Sequence, residues 1–110
     1  MAELLILEFE NLNETQYEKV NEILGIDMSS DSGDWPAGII SHMAGPTENG
    51  WIVIEAWETR EDQDDFMQTR LAPALGEAGV TKPPKRMEWS KAKSHRTPRK
   101  ASANKTAAGA

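Results

Sequence analysis

The sequence predicts one α+β domain in which four strands and two helices run in the order β-α-β-β-α-β. Three observations carry this. Two stretches space their apolar residues as a helix does. Short alternating or continuously apolar runs flank those stretches. Gly, Pro, Asn and Asp punctuate the joins between them.

Leu4 to Phe9 is a short apolar run and reads as the first strand. A helix start follows it. Asn13 can cap, Gln16 sits three residues later as a capping box requires, and Leu12 and Tyr17 occupy the two hydrophobic-staple positions. Tyr17, Val20, Ile23 and Leu24 then recur at helical spacing, and Gly25 is a terminator, so the first helix is predicted over 14–24. Residues 25–36 are rich in Gly, Ser and Asp without periodicity, and read as a loop. A loop of that length is either a surface excursion or a functional segment.

Ala37 to Ala44 reads as the second strand, Gly45 to Gly50 as a turn, and Trp51 to Trp57 as the third strand, so these two strands form a hairpin. Thr59 caps the second helix, whose first turn holds Glu61 and Asp62, where carboxylates complement the helix dipole. Phe66, Met67, Arg70, Leu71 and Leu75 continue one helix face, Pro73 predicts a kink or a restart, and Gly76 and Gly79 close it. Arg86 to Lys91 alternates and reads as the fourth strand. This order is the split βαβ, ferredoxin-like plan: a four-stranded antiparallel sheet with both helices on one face. The other face is left for a partner subunit or a ligand.

Bulk properties narrow the function. A chain of 110 residues supports one domain without staples. Its lack of cysteine excludes disulfides, thiolate metal sites and a cysteine nucleophile, and suits a reducing compartment. No apolar run approaches the ~20 residues of a membrane span, and the acidic N-terminus does not read as a signal peptide. The expected location is the cytoplasm, with no membrane partner. The net charge of −6 hides a split: residues 1–90 carry −12 and residues 91–110 carry +6. Predicted boundaries are therefore 1–91 for the folded domain and 92–110 for a disordered basic tail. An acidic body argues against a nucleic-acid-binding fold.

Strand alternation sorts the chemistry. Ile52, Ile54 and Ala56 share one face of the third strand, and their small aliphatic side chains suit packing under the helices. Trp51, Val53, Glu55 and Trp57 share the other and suit the open face. On the second strand, Gly38, Ile40, His42 and Ala44 alternate with Ile39, Ser41 and Met43, and the hairpin register decides which set is open. On the fourth, Met87, Trp89 and Lys91 alternate with Arg86, Glu88 and Ser90.

His42 is either a general base or a satisfied sheet histidine. Glu55, mid-strand among apolar neighbours, is either an acid/base group or a structural partner of His42 or Arg86. Trp51, Trp57 and Trp89 either wall a cavity for a flat ligand or anchor a subunit interface. Trp35, just before Pro36, is a lid or a loop anchor. Asp62, Asp64 and Asp65 diverge around a helix and read as a solvated helix start. There is no His-x-x-x-His, no phosphate-binding glycine loop, no dinucleotide fingerprint and no nucleophile elbow. No cofactor or metal is expected.

The strand with His42, the run Trp51 to Trp57, Glu58-Thr59-Arg60-Glu61, Phe66 and Arg70-Leu71-Ala72-Pro73-Ala74-Leu75 together resemble small dimeric α/β-barrel proteins, the group that includes the antibiotic biosynthesis monooxygenases. The resemblance covers roughly residues 3–91. It implies that two protomers pack their sheets into a barrel, each keeping a cleft between sheet and helices. It also implies, for some members, oxidation of polycyclic aromatic substrates by O2 without metal or flavin. Haem-handling members place a histidine on a helix, and neither predicted helix here has one. The cofactor-free oxygenases use Asn, Trp, Tyr and Arg. Trp57 fits the tryptophan role and Arg86 the arginine role, but no asparagine falls on the first or third strand.

Two functional expectations stand side by side. In the first, a homodimer binds a small apolar or aromatic molecule in each protomer. Here His42 positions or deprotonates it, Glu55 orients His42, and Trp51, Trp57, Trp35 and Arg86 contact it, with cofactor-independent monooxygenation as the enzymatic version. In the second, the domain is an interaction module without chemistry, and its basic tail docks on an acidic partner.

Overall fold

A computed structural model describes residues 2–99; residues 100–110 of the predicted tail lie outside the described residues. Its main sheet contains β1 (Glu3–Glu10), β4 (Ile39–Thr47), β5 (Gly50–Trp57) and β6 (Arg86–Lys91). They stand in the order β4-β5-β1-β6, every neighbouring pair antiparallel. Two short strands, β2 (Ile26–Asp27) and β3 (Ser32–Gly33), form a separate hairpin inside the segment expected to be a plain loop. Asp27 stabilises it by accepting from the Ser29 backbone N–H at 2.9 Å and the Ser30 hydroxyl at 2.7 Å.

The first helix, α1, runs over Glu14–Leu24 with the capping box its sequence prescribes. The Gln16 N–H donates to Asn13 Oδ1 at 2.8 Å, and the Asn13 N–H donates back to Gln16 Oε1 at 3.3 Å. Gly25 closes it with φ of 77°, a left-handed conformation that glycine adopts without steric penalty. The second helical region has three parts: α2 (Arg60–Phe66), a π-helical turn (Met67–Leu71) and α3 (Ala72–Glu77). Thr59 Oγ1 accepts from the Asp62 N–H at 3.0 Å at its start. Pro73 explains the π turn: it cannot donate to the carbonyl four residues back, and the chain relaxes into a wider turn in which the Ala72 N–H reaches the Met67 carbonyl. Gly76 lies inside α3, and Gly79, at φ of 86°, ends it.

The core lies between the sheet and these helices, and it reverses the expected sidedness of β5. Leu5, Leu7 and Phe9 face the helices, and across the ladder they pair with Glu55, Val53 and Trp51. Trp51 and Trp57 are buried at 6% and 0% exposure, packed with Val20, Leu24, Phe66 and Ala74. Ile54, on the opposite face with Ile52 and Ala56, remains 40% exposed. Area decides the choice. Each tryptophan takes roughly 150–250 Å2 out of water, which at about 25 cal/mol per Å2 is roughly 4–6 kcal/mol, against about 1.5–3 kcal/mol for an isoleucine.

Two further departures lie on β4. Ile39 pairs with Trp57 and Ser41 with Ala56, so Ile40 is a bulge. The extra residue puts Ile39 on the same face as His42, against the simple alternation. The strand also continues through Gly45-Pro46, leaving only Glu48-Asn49 for the turn. Pro46 is tolerated because β4 is an edge strand, where a missing N–H costs no ladder bond.

Beyond β6, residues 92–99 have no helix or strand, although Ala92 is buried and its N–H donates to the Ala2 carbonyl at 2.8 Å. Among the described residues no helix is long and apolar enough to cross a membrane.

Gly50 pairs with Glu10 on one side and Thr47 on the other, and a Cβ there would overlap the Phe9 carbonyl. Gly50→Ala is expected to lower stability by about 1–3 kcal/mol, the usual penalty of overpacking, as read by urea denaturation. Gly45→Ala, with open space at its Cβ position, is the control and should change stability far less.

Candidate functional site

Burying the tryptophan face of β5 carries Glu55 inward with it, at 8% exposure. A carboxylate there requires donors. It has two: Trp57 Nε1 donates to Glu55 Oε1 at 2.9 Å, and His42 Nδ1 lies 2.7 Å from Glu55 Oε2. The antiparallel register sets His42 directly across from Glu55, so the pairing is built into the ladder. On its other side, His42 Nε2 meets the Tyr17 hydroxyl at 2.6 Å. With Glu55 ionised, Nδ1 carries the proton and donates to the carboxylate, and Nε2 accepts from the Tyr17 O–H. A hydrogen-bonded chain thus runs Tyr17–His42–Glu55–Trp57, from α1 through β4 to β5.

Aromatic rings surround this chain. Tyr17 lies 5.0 Å from Trp51 between ring centroids, and Trp35 and His42 meet in a T-shaped pair at 5.8 Å. Desolvation is the main reason the Tyr17 phenol titrates above its ordinary value; Asn21 opposes the rise and the Glu55 charge adds to it. Tyr17 therefore stays a neutral O–H donor at physiological pH.

Tyr17, His42 and Glu55 form one wall of an apolar cavity of about 60 Å3 between sheet and helices, lined also by Leu7, Phe9, Val53, Phe66 and Leu75. Sites for drug-sized ligands usually span roughly 300–1,000 Å3, so this cavity is largely filled by its own side chains. Two wide surface grooves adjoin it. One, of about 590 Å3, lies beyond Tyr17 and Trp51 and is rimmed by Glu14, Glu18, Glu22 and Asp27. The other, of about 470 Å3, lies beyond Trp35 and His42. The β2–β3 segment supplies Met28, Trp35 and Pro36 to the cavity wall. Arg70 anchors that segment, donating to the carbonyls of Leu24 at 3.0 Å and Asp34 at 2.7 Å.

Of the residues singled out from the sequence, His42, Glu55, Trp51 and Trp35 meet at this cavity. Trp57 does not line it; it holds Glu55 instead. Arg86 is elsewhere, exposed on the edge strand β6 and engaged with Glu88 at 2.7 Å and Glu8 at 3.7 Å, which raises its pKa. Trp89 is also away from the cavity, under the Arg60 guanidinium at 5.2 Å. Tyr17 and Arg70 were not singled out as site residues. Tyr17 fitted the helix staple, and only the fold shows its hydroxyl reaching β4. The indole N–H groups of Trp35 and Trp51 are buried without a hydrogen-bond partner. Among the described residues no group of three His, Asp or Glu side chains is placed to hold a metal ion.

No family model matches the chain, and no curated protein matches it either.

Two outcomes test this geometry. Tyr17 is the one tyrosine of the chain, so tyrosinate absorbance reports it alone. Its raised pKa implies a stabilising contribution that is complete below the unfolded value of about 10. That contribution is lost as pH rises through the higher native value. The native midpoint should therefore exceed the midpoint in urea. Separately, Glu55→Ala leaves the Trp57 N–H unsatisfied and should cost about 1–3 kcal/mol in chemical denaturation. The exposed Glu58→Ala should stay within about 0.5 kcal/mol.

Proposed function

We propose that the chain binds a small aromatic or apolar molecule between sheet and helices and uses the His42–Glu55 pair as a general base. The observation that carries this reading is the hydrogen-bonded His42–Glu55 pair opening onto an apolar cavity. Imidazole takes a proton at Nε2, and the buried carboxylate stabilises the resulting cation in a low-dielectric setting. Trp57 keeps the carboxylate from turning away.

In the enzymatic form, the substrate is a polycyclic phenol whose keto tautomer carries an acidic CH2. His42 removes a proton from that carbon. The carbanion reduces O2, one oxygen atom stays on carbon as a new carbonyl, and the other leaves as water. The CH2 supplies all the electrons, so no external reductant enters the balance. The resemblance to cofactor-free monooxygenases is in keeping with this chemistry.

The same reading includes the ferredoxin-like plan and a homodimer. The sheet order β4-β5-β1-β6 supports the first. The uncovered sheet face supports the second: Leu4, Met43 and Ile54 are exposed there at 38%, 66% and 40%. A second copy of this face is the natural cover for such a patch.

A second reading rests on the small volume of the cavity and the charge split of the chain. In it the domain is an interaction module, and the basic tail docks on an acidic partner. Deleting residues 94–110 leaves the buried Ala92 in place, and partner binding that survives the deletion removes the docking role.

The first reading is tested by O2 uptake with a panel of polycyclic phenols. The expected result is uptake that falls by about 10^2–10^4 in His42→Gln, the usual worth of a positioned general base. Uptake unchanged in His42→Gln contradicts it. For the dimer, Ile54→Glu should convert a sedimenting dimer into a monomer; a wild-type chain that is already monomeric at micromolar concentration contradicts the dimer.

A further inference from the structure

Tyr17 occupies an unusual place. It lines the apolar cavity, and it also lines the wide acidic groove on α1. Asn21, Ile26, Met28 and Trp51 share both walls, so this layer is the partition between cavity and groove. Tyr17 is the member of that layer whose polar end reaches His42, at 2.6 Å. Its ring is nearly parallel to the imidazole, at 12°, and tilted on Trp51 at 34°. The partition is therefore a phenol, held by its face and by its hydroxyl.

We infer that Tyr17 is a displaceable internal ligand: its phenol fills the position that the hydroxyl and ring of a neutral phenolic substrate take against His42 and Trp51. The inference rests on the small-molecule reading above and narrows its substrate class. The surroundings accept a phenol because they already hold one. When Tyr17 swings outward, the space of its own ring joins the cavity of about 60 Å3 to the groove of about 590 Å3. Nε2 is then free to accept from the incoming O–H, whose proton loss gives the same anion as loss from the CH2 of the keto tautomer, with Glu55 still behind Nδ1. The rim carboxylates of Glu14, Glu18, Glu22 and Asp27 select against anions at the entrance. Carboxylates and phosphates are disfavoured, and an un-ionised phenol passes.

The test uses p-cresol, which reproduces the tyrosine side chain, and toluene, which lacks the hydroxyl. In Tyr17→Ala, p-cresol should bind at least about tenfold more tightly than toluene, as one satisfied hydrogen bond implies. It should also bind more tightly than to the wild type, where Tyr17 competes. Equal binding of the two probes to Tyr17→Ala overturns the inference. A measurement on the wild-type chain covers the case in which that variant does not fold. On titration with 2-naphthol, the nuclear Overhauser contacts between the Tyr17 and His42 rings should disappear at saturation. If 2-naphthol binds at the cavity while those contacts persist, Tyr17 is a fixed wall; the inference fails and the small-molecule reading survives. If 2-naphthol does not bind at millimolar concentration, both fail.

Discussion

A carboxylate buried in the middle of β5 is the constraint around which the rest of this domain is arranged. Glu55 is inside because Trp51, Val53 and Trp57 are inside, and period-two alternation makes all four share a face. The apolar gain of that face is large enough to carry one charged group with it, provided the group is satisfied. His42 and Trp57 provide the donors at 2.7 and 2.9 Å. Satisfying Glu55 in turn fixes the imidazole, and the imidazole fixes the Tyr17 hydroxyl. Packing energy on one strand thus determines polar geometry across three elements.

The supporting structure serves the same arrangement. The bulge at Ile40 places both Ile39 and His42 toward the helices, where a regular strand would place only one of them. The π turn before Pro73 carries Arg70, whose guanidinium ties the β2–β3 segment down through the Leu24 and Asp34 carbonyls. That segment brings Trp35 and Pro36 over the cavity. Glu3 is a contrasting carboxylate near the same end of the sheet, opposite Trp57. Desolvation acts to raise its pKa, yet Arg60 and Lys91 together hold it below the ordinary value. Its partners are exposed and on different elements, so it ties β1 to α2 and β6 and organises no pocket.

Local signals in the sequence were easy to read where the physics is local. The Asn13–Gln16 box, the Gly25 terminator and the Thr59 cap each depend on residues a few positions apart, and each is present. The four main strands likewise follow from apolar runs and turn residues. Sidedness was not legible in the same way. Small aliphatic residues and tryptophans both suit a core, and only the competition for area decides between them. The bulge at Ile40 has no glycine or proline to announce it, so simple alternation puts His42 and Ile39 on opposite faces. The staple position accounts for Tyr17 locally and says nothing of its hydroxyl, whose partner lies on β4. His42 and Glu55 were legible as chemistry-bearing residues, but their pairing depended on a register that only the fold supplies.

The protonation pattern of His42 tests the central claim most directly. Ring-nitrogen NMR of the full chain distinguishes Nδ1–H from Nε2–H, and His95 is the only other histidine to assign. If the buried Glu55 carboxylate organises the site, His42 carries its proton on Nδ1 near neutral pH. That proton should resonate far downfield, and it should move to Nε2 in Glu55→Ala. An imidazole that shows the Nε2–H form in the wild type, or one unchanged by the substitution, contradicts the account.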